Sequence, residues 1–118
     1  MNSELHHFKS CFPGASHGFD NFCQSVYMGK VVIFPAEKDG MVYGYYALRV
    51  DSFVGEVVAG VSFIPEVDLY AEFMPQILDD LRNRGCKVAQ VSTFRPGLMR
   101  KLGHNGFACV AALFEREL

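Results

Sequence analysis

The chain has 118 residues, half of them hydrophobic and a fifth charged. That size and composition fit one domain with a buried core and exclude a disordered chain. The formal net charge of −2 excludes broad electrostatic attraction to nucleic acid or anionic lipid. The longest apolar runs, such as Val57–Ile64, are far shorter than a membrane span, so no membrane partner is expected. Met1–Ser10 is polar and unlike a signal peptide, which makes a cytoplasmic location the default expectation.

The first 30 residues carry scattered apolar anchors, Phe8, Phe12, Phe19, Phe22 and Tyr27, among Gly, Ser, Asn and His. Phe19, Phe22, Cys23 and Val26 recur at helical spacing and predict a helix over about 20–28. This segment is expected to cover the sheet as core, with a sticky arm for a partner subunit as the alternative. His6 and His7 are expected in a frayed terminus.

"KVVIFPAEKDGMVYGYYALRV" holds two β-rich runs joined at Asp39-Gly40, a dipeptide suited to a tight hairpin. "EVVAGVSFI" is a third antiparallel strand, apolar at nearly every position and so expected to be covered on both faces. Leu69, Phe73, Ile77 and Leu81 then form one helical stripe, with Asp68 as N-cap and Gly85 as stop. Pro75 predicts either a kink or a true start near that residue. "CKVAQVSTF" reads as a strand, "RPGLMRKLG" as a short helix and "FACVAALFEREL" as a closing strand. The order β-β-β-α-β-α-β implies an α/β (α+β) fold: a mixed, mostly antiparallel sheet with helices packed on it. One domain is expected over 1–118, with an abbreviated N-terminal segment over 1–29 and a core over 30–118.

That order, with the segments "GVSFIPE", "ILDDLRNRG" and "LMRKLGHNGF", resembles the GNAT (GCN5-related N-acetyltransferase) family over roughly Lys30–Leu118. The resemblance implies acyl transfer from acetyl-CoA, its pyrophosphate held by backbone amides of a segment like R-x-x-G-x-G/A after the central strand. The physics of such a cradle is general. Unpaired helix N–H groups and the helix dipole favour an anion, and glycine lets it approach the backbone. Here the equivalent stretch is "EVDLYAEF", which has no Arg, Lys or Gly but carries Glu66, Asp68 and Glu72. Each carboxylate would repel a nearby diphosphate by roughly a kcal/mol or more at close range. The tyrosine that the family often places in its closing helix falls at Met99, and a thioether cannot donate a proton. The asparagine often found at the start of that helix falls near Ser92.

The residues therefore lead to a GNAT-like domain with a degenerate acyl-CoA site, non-catalytic, using no cofactor and acting through contact with a protein partner or another copy of itself. Small degenerate domains of this kind are similar to some bacteriophage proteins, virion components included, which would place the protein in host cytoplasm or virion. The alternative is an active N-acetyltransferase with an atypical site. Acetyl-CoA would then lie against Phe63, Ile64, Asp68, Leu69 and Tyr70, helped by Arg95 and Arg100. Glu56 or Glu66 would serve as base through water, and a strand tyrosine such as Tyr45 as acid. Against these roles stand plain ones: Glu56 and Glu66 as strand-end charges, the tyrosines as sheet packing, and Arg95, Arg100 and Lys101 as a solvated basic face. Tyr43 and Tyr45 are expected on one face of their strand and Tyr46 on the other. A ligand module unrelated to acyl transfer is a third class. Cys11, Cys23, Cys86 and Cys109 fit no common zinc spacing and read as plain thiols, with no metal expected. His104 is expected at the surface.

Overall fold

The computed structural model describes residues 3–12, 17–91, 100, 102–109 and 116. Among the described residues, four strands form one sheet in the order β1 (Val32–Lys38), β2 (Met41–Asp51), β3 (Val54–Ser62) and β4 (Val88–Val91). The first three pair antiparallel, and β4 runs parallel to β3 after a helical crossover. Helix α1 (Gly18–Tyr27), helix α2 (Leu69–Asn83) and a 3-10 helix (Ser3–Cys11) complete the described elements. The mixed sheet and the order β-β-β-α-β through β4 are those expected from the sequence.

Local chemistry explains the turns. Asp39 and Gly40 join β1 to β2 with φ of 55° and 79°. Two successive positive φ values match the twist of the strands, and Asp-Gly tolerates them. Helix α2 starts where Asp68 caps it and ends before Gly85, whose φ is +85°. It runs through Pro75 without a break. The start is therefore at Leu69 and not near Pro75, and the proline simply forfeits one backbone bond to the preceding turn.

Two cores lie on opposite faces of the sheet. On one, Leu69, Phe73, Met74, Ile77 and Leu81 of α2 pack on Tyr46, Leu48 and Val57. On the other, Leu5, Phe8, Phe22 and Val26 pack on Ala47 and Ala59. Strand β3 is thus covered on both faces, as its continuous apolar run predicts. The N-terminal segment is part of this second core. Phe8 is fully buried, and its ring lies 5.0 Å from that of Phe22. The expectation of a frayed start at His6 and His7 is corrected: the apolar residues between the histidines and α1 anchor them on a helical turn against the sheet.

Two bulges set the phase of the side chains. Opposite Ala36 and Glu37, the β2 partners jump from Gly44 to Val42, leaving Tyr43 as the extra residue. The bulge turns Tyr43 toward α2, its ring 5.8 Å from Phe73, on the same side as Tyr46. Tyr45 faces the N-terminal core. Strict alternation pairs Tyr43 with Tyr45, and the bulge overturns that pairing. A second bulge makes Val58 the extra residue of β3 and brings Gly60 beneath α2.

The outer edge of β1 is blunted. Pro35 has no N–H, and its carbonyl accepts from Gln76 Nε2 at 3.0 Å. The same amide donates to the Tyr46 hydroxyl at 2.8 Å, and that hydroxyl donates to the Asp80 carboxylate. Burial, foremost, and the Asp80 hydrogen bond push the Tyr46 phenol well above its usual range.

Of the segment read as a closing helix, Leu102–His104 is helical and Leu102 is buried. Gly106 makes the turn at φ +84°. Arg95, Pro96, Met99, Ser92 and Lys101 lie outside the described residues, as does most of the expected closing strand. The four cysteines form no disulfide with one another. Among the described residues, no helix is long and apolar enough to cross a membrane. None of their His, Cys, Asp and Glu side chains gather in threes to hold a metal ion.

Candidate functional site

The junction between β3 and α2 is the place where a strand end and a helix N-terminus meet. The β3–β4 pairing covers Val54–Val57 among the described residues, whereas β3 continues to Ser62 against β2 alone. Beyond Ser62 the chain turns through 63–68 into α2. A helix N-terminus offers up to four backbone donors that need partners. The question is whether this one has donors left for a ligand.

The protein uses two of them itself. Asp68 Oδ1 accepts from the amide of Tyr70 at 3.1 Å and from that of Ala71 at 3.2 Å. The amide of Glu72 donates to the Asp68 carbonyl at 2.9 Å. In the turn, Phe63 N–H donates to the Tyr43 carbonyl, Ile64 N–H to Ser62 Oγ, and Val67 N–H to the Ile64 carbonyl. The Ser62 hydroxyl in turn donates to the Ile64 carbonyl at 2.9 Å, which locks the turn.

Side chains fill the space around these atoms. A methyl group on Gly60 would lie 2.7 Å from Leu69 Cδ2 and 3.2 Å from the Tyr70 ring and hydroxyl. The first turn of α2 thus rests directly on the bare backbone of β3. On the opposite face, Cys11 Sγ donates to the Gly60 carbonyl at 3.4 Å. Phe63 meets the ring of Tyr45 edge-on at 5.3 Å and the imidazole of His7 at 4.7 Å. The end of β3 is capped from both sides by the protein's own groups.

The charge around the junction is negative. Glu66, Asp68 and Glu72 all belong to it, and Lys38 pairs with Glu72 at 3.8 Å. A diphosphate placed here would meet the carboxylates of Glu66, Asp68 and Glu72 and two amides already hydrogen-bonded to Asp68.

The other sequence-derived candidates do not converge. Glu56 is the third residue of β3, and its carboxylate pairs with Arg49 at 3.5 Å. Along an extended strand it sits roughly 20 Å from Ser62, while Glu66 is exposed in the turn. Arg100 is exposed, and Arg95 lies outside the described residues. Tyr45 and Phe63 do meet, and His7 joins them. Sequence reasoning missed His7 because only the folded N-terminal turn brings it to the end of β3. Phe8 next to it, an apolar anchor in the sequence, was the available signal.

Solved structures of this architecture are easily found. A Trypanosoma brucei acetyltransferase superposes with a TM-score of 0.62 at 15% identity, covering 98% of this chain and 88% of that one. Glucosamine-6-phosphate N-acetyltransferase from Arabidopsis thaliana gives 0.62 at 12% identity, covering 96% and 87%. A GNAT family acetyltransferase from Staphylococcus aureus gives 0.59 at 10% identity, covering 100% and 94%. The chain has the GNAT fold. No protein-family model and no curated protein matches the sequence.

Proposed function

We propose that this GNAT-fold domain does not carry out acyl transfer from acetyl-CoA and acts instead through contact with a protein partner. The observation that carries the reading is the Asp68 carboxylate on the amides of Tyr70 and Ala71. An anion already occupies the donors that a diphosphate would need, and it is covalently part of the chain. Displacing it would leave a carboxylate beside the incoming phosphates, with Glu66 in the preceding turn and Glu72 in the first turn of α2. The filling of the space over Gly60 by Leu69 and Tyr70 supports the same reading.

The alternative, N-acetyl transfer with an atypical site, requires the amides of Asp68 to Tyr70 to be available and a base near the strand end. The Tyr70 amide is committed, and Glu56 is paired far from the junction. Isothermal titration with acetyl-CoA tests the proposal. No heat is expected at hundreds of micromolar ligand, and a micromolar dissociation constant overturns the reading.

A further inference from the structure

The opposite end of the sheet is unlike the β3–α2 junction in both polarity and charge. There α1 ends, β1 begins, β2 ends and α2 terminates. Val32 and Val50 are 47% and 38% exposed and line one trough together. Exposed apolar residues in one place are unusual for a surface that water alone covers. Val32, Phe34, Leu48 and Val50 form the floor of an open trough of about 460 Å³ on the α2 face of the sheet, past the last turn of the helix. Its rim carries Lys30 and Arg84, and no acidic residue lines it. The Arg84 guanidinium lies 4.6 Å above the ring of Phe34, which holds this cation at the trough. Among the described residues neither Lys30 nor Arg84 forms an ion pair, although the chain as a whole is acidic.

We infer that this trough is the docking surface for an acidic, apolar peptide segment of a partner protein. The inference rests on the reading of the domain as a contact module and names where the contact lies. Charge complementarity selects the occupant. Leucine or phenylalanine side chains cover Val32 and Val50, the exposed part of the floor, and flanking carboxylates meet Arg84 and Lys30. A planar guanidinium can bind a carboxylate through two parallel hydrogen bonds. The trough is open along its length, which suits a chain segment that enters and leaves better than a small molecule that must be enclosed. A second copy docking by the same face would set Lys30 and Arg84 against themselves. Strand addition at β1 is blocked at Pro35, whose carbonyl is already taken by Gln76.

The probe is a synthetic peptide, acetyl-Asp-Glu-Leu-Phe-Asp-Leu-Glu-amide, titrated into the ¹⁵N-labelled full chain. Saturable shifts are expected at the amides of Val32, Phe34, Leu48 and Asn83. The Arg84→Glu variant should weaken binding by about tenfold or more, and a peptide with lysine in place of each acid should not bind. Val50→Asp provides a second variant at the floor; circular dichroism checks that both variants fold. Shifts confined to other surfaces, equal binding by Arg84→Glu and wild type, or concentration-dependent dimerisation lost in Arg84→Glu would each overturn the inference. Acetyl-CoA binding would leave these shifts unchanged, so the trough and the cofactor question fail independently.

Discussion

The carboxylate of Asp68 and the amide of Ala71 are hydrogen-bonded at 3.2 Å, so the helix that faces the end of β3 begins already neutralised. The bond stabilises α2 and closes its start to outside anions together. Asp68→Ala should destabilise the domain by about 1 kcal/mol, and Asp68→Asn by much less, because asparagine retains a capping oxygen. Urea unfolding of the three proteins measures the order. Equal stability of the alanine variant and wild type would remove the cap from the account.

Tyr46 is a second committed group. Its hydroxyl is buried and donates to Asp80, so the folded phenol titrates above its ordinary value of 10.0. The unfolded chain loses this proton first as pH rises, and the folded state retains it. The stabilisation is therefore complete below about pH 10 and declines above it, by roughly 1.4 kcal/mol per pH unit for one proton. Tyr46→Phe should cost about 1 to 2 kcal/mol at neutral pH and abolish this slope. Denaturant midpoints of both proteins between pH 8 and 11 provide the comparison.

Two glycines of the sheet should differ sharply. A methyl group on Gly44 would lie 2.0 Å from the Val61 carbonyl oxygen and 2.9 Å from Ser62 Cα, both backbone atoms. Gly44→Ala should cost about 3 kcal/mol or more, since no side chain can move aside. At Gly60 the obstacles are the side chains of Leu69 and Tyr70, and alanine there should cost about 1 to 2 kcal/mol. Thermal melts that rank Gly60→Ala as the more damaging would contradict the packing described.

The N-terminal helix should be indispensable. Phe8 is fully buried between Phe22 and the sheet. Phe8→Ala should remove about 3 to 5 kcal/mol, a large part of the stability of a small domain. A change below about 1 kcal/mol by chemical denaturation would mean that this segment is not core.

The sequence read well where a single local rule decides. Asp39-Gly40, the Asp68 cap, the Gly85 stop and the stripe from Leu69 to Leu81 each follow from a residue type at a fixed spacing, and each is where it was expected. It read poorly where tertiary contacts decide. The bulge at Tyr43 rephases a strand without leaving a mark in the sequence, and Pro75 sits within a continuous helix because packing outweighs its local cost. His7 reaches Phe63 only because Phe8 anchors the turn that carries it. At the candidate site, the missing glycine and the three acids of "EVDLYAEF" were legible. Which backbone donors Asp68 takes was not, since that depends on the geometry of the turn.

The central claim is that the amides of Tyr70 and Ala71 at the start of α2 are taken by the chain itself. Nitrogen-15 chemical shifts of Leu69, Tyr70 and Ala71, followed during addition of acetyl-CoA to several hundred micromolar, test it most directly. The account predicts that these signals stay where they are. Saturable movement of Tyr70 and Ala71, together with phosphorus-31 broadening of the bound diphosphate, would contradict it.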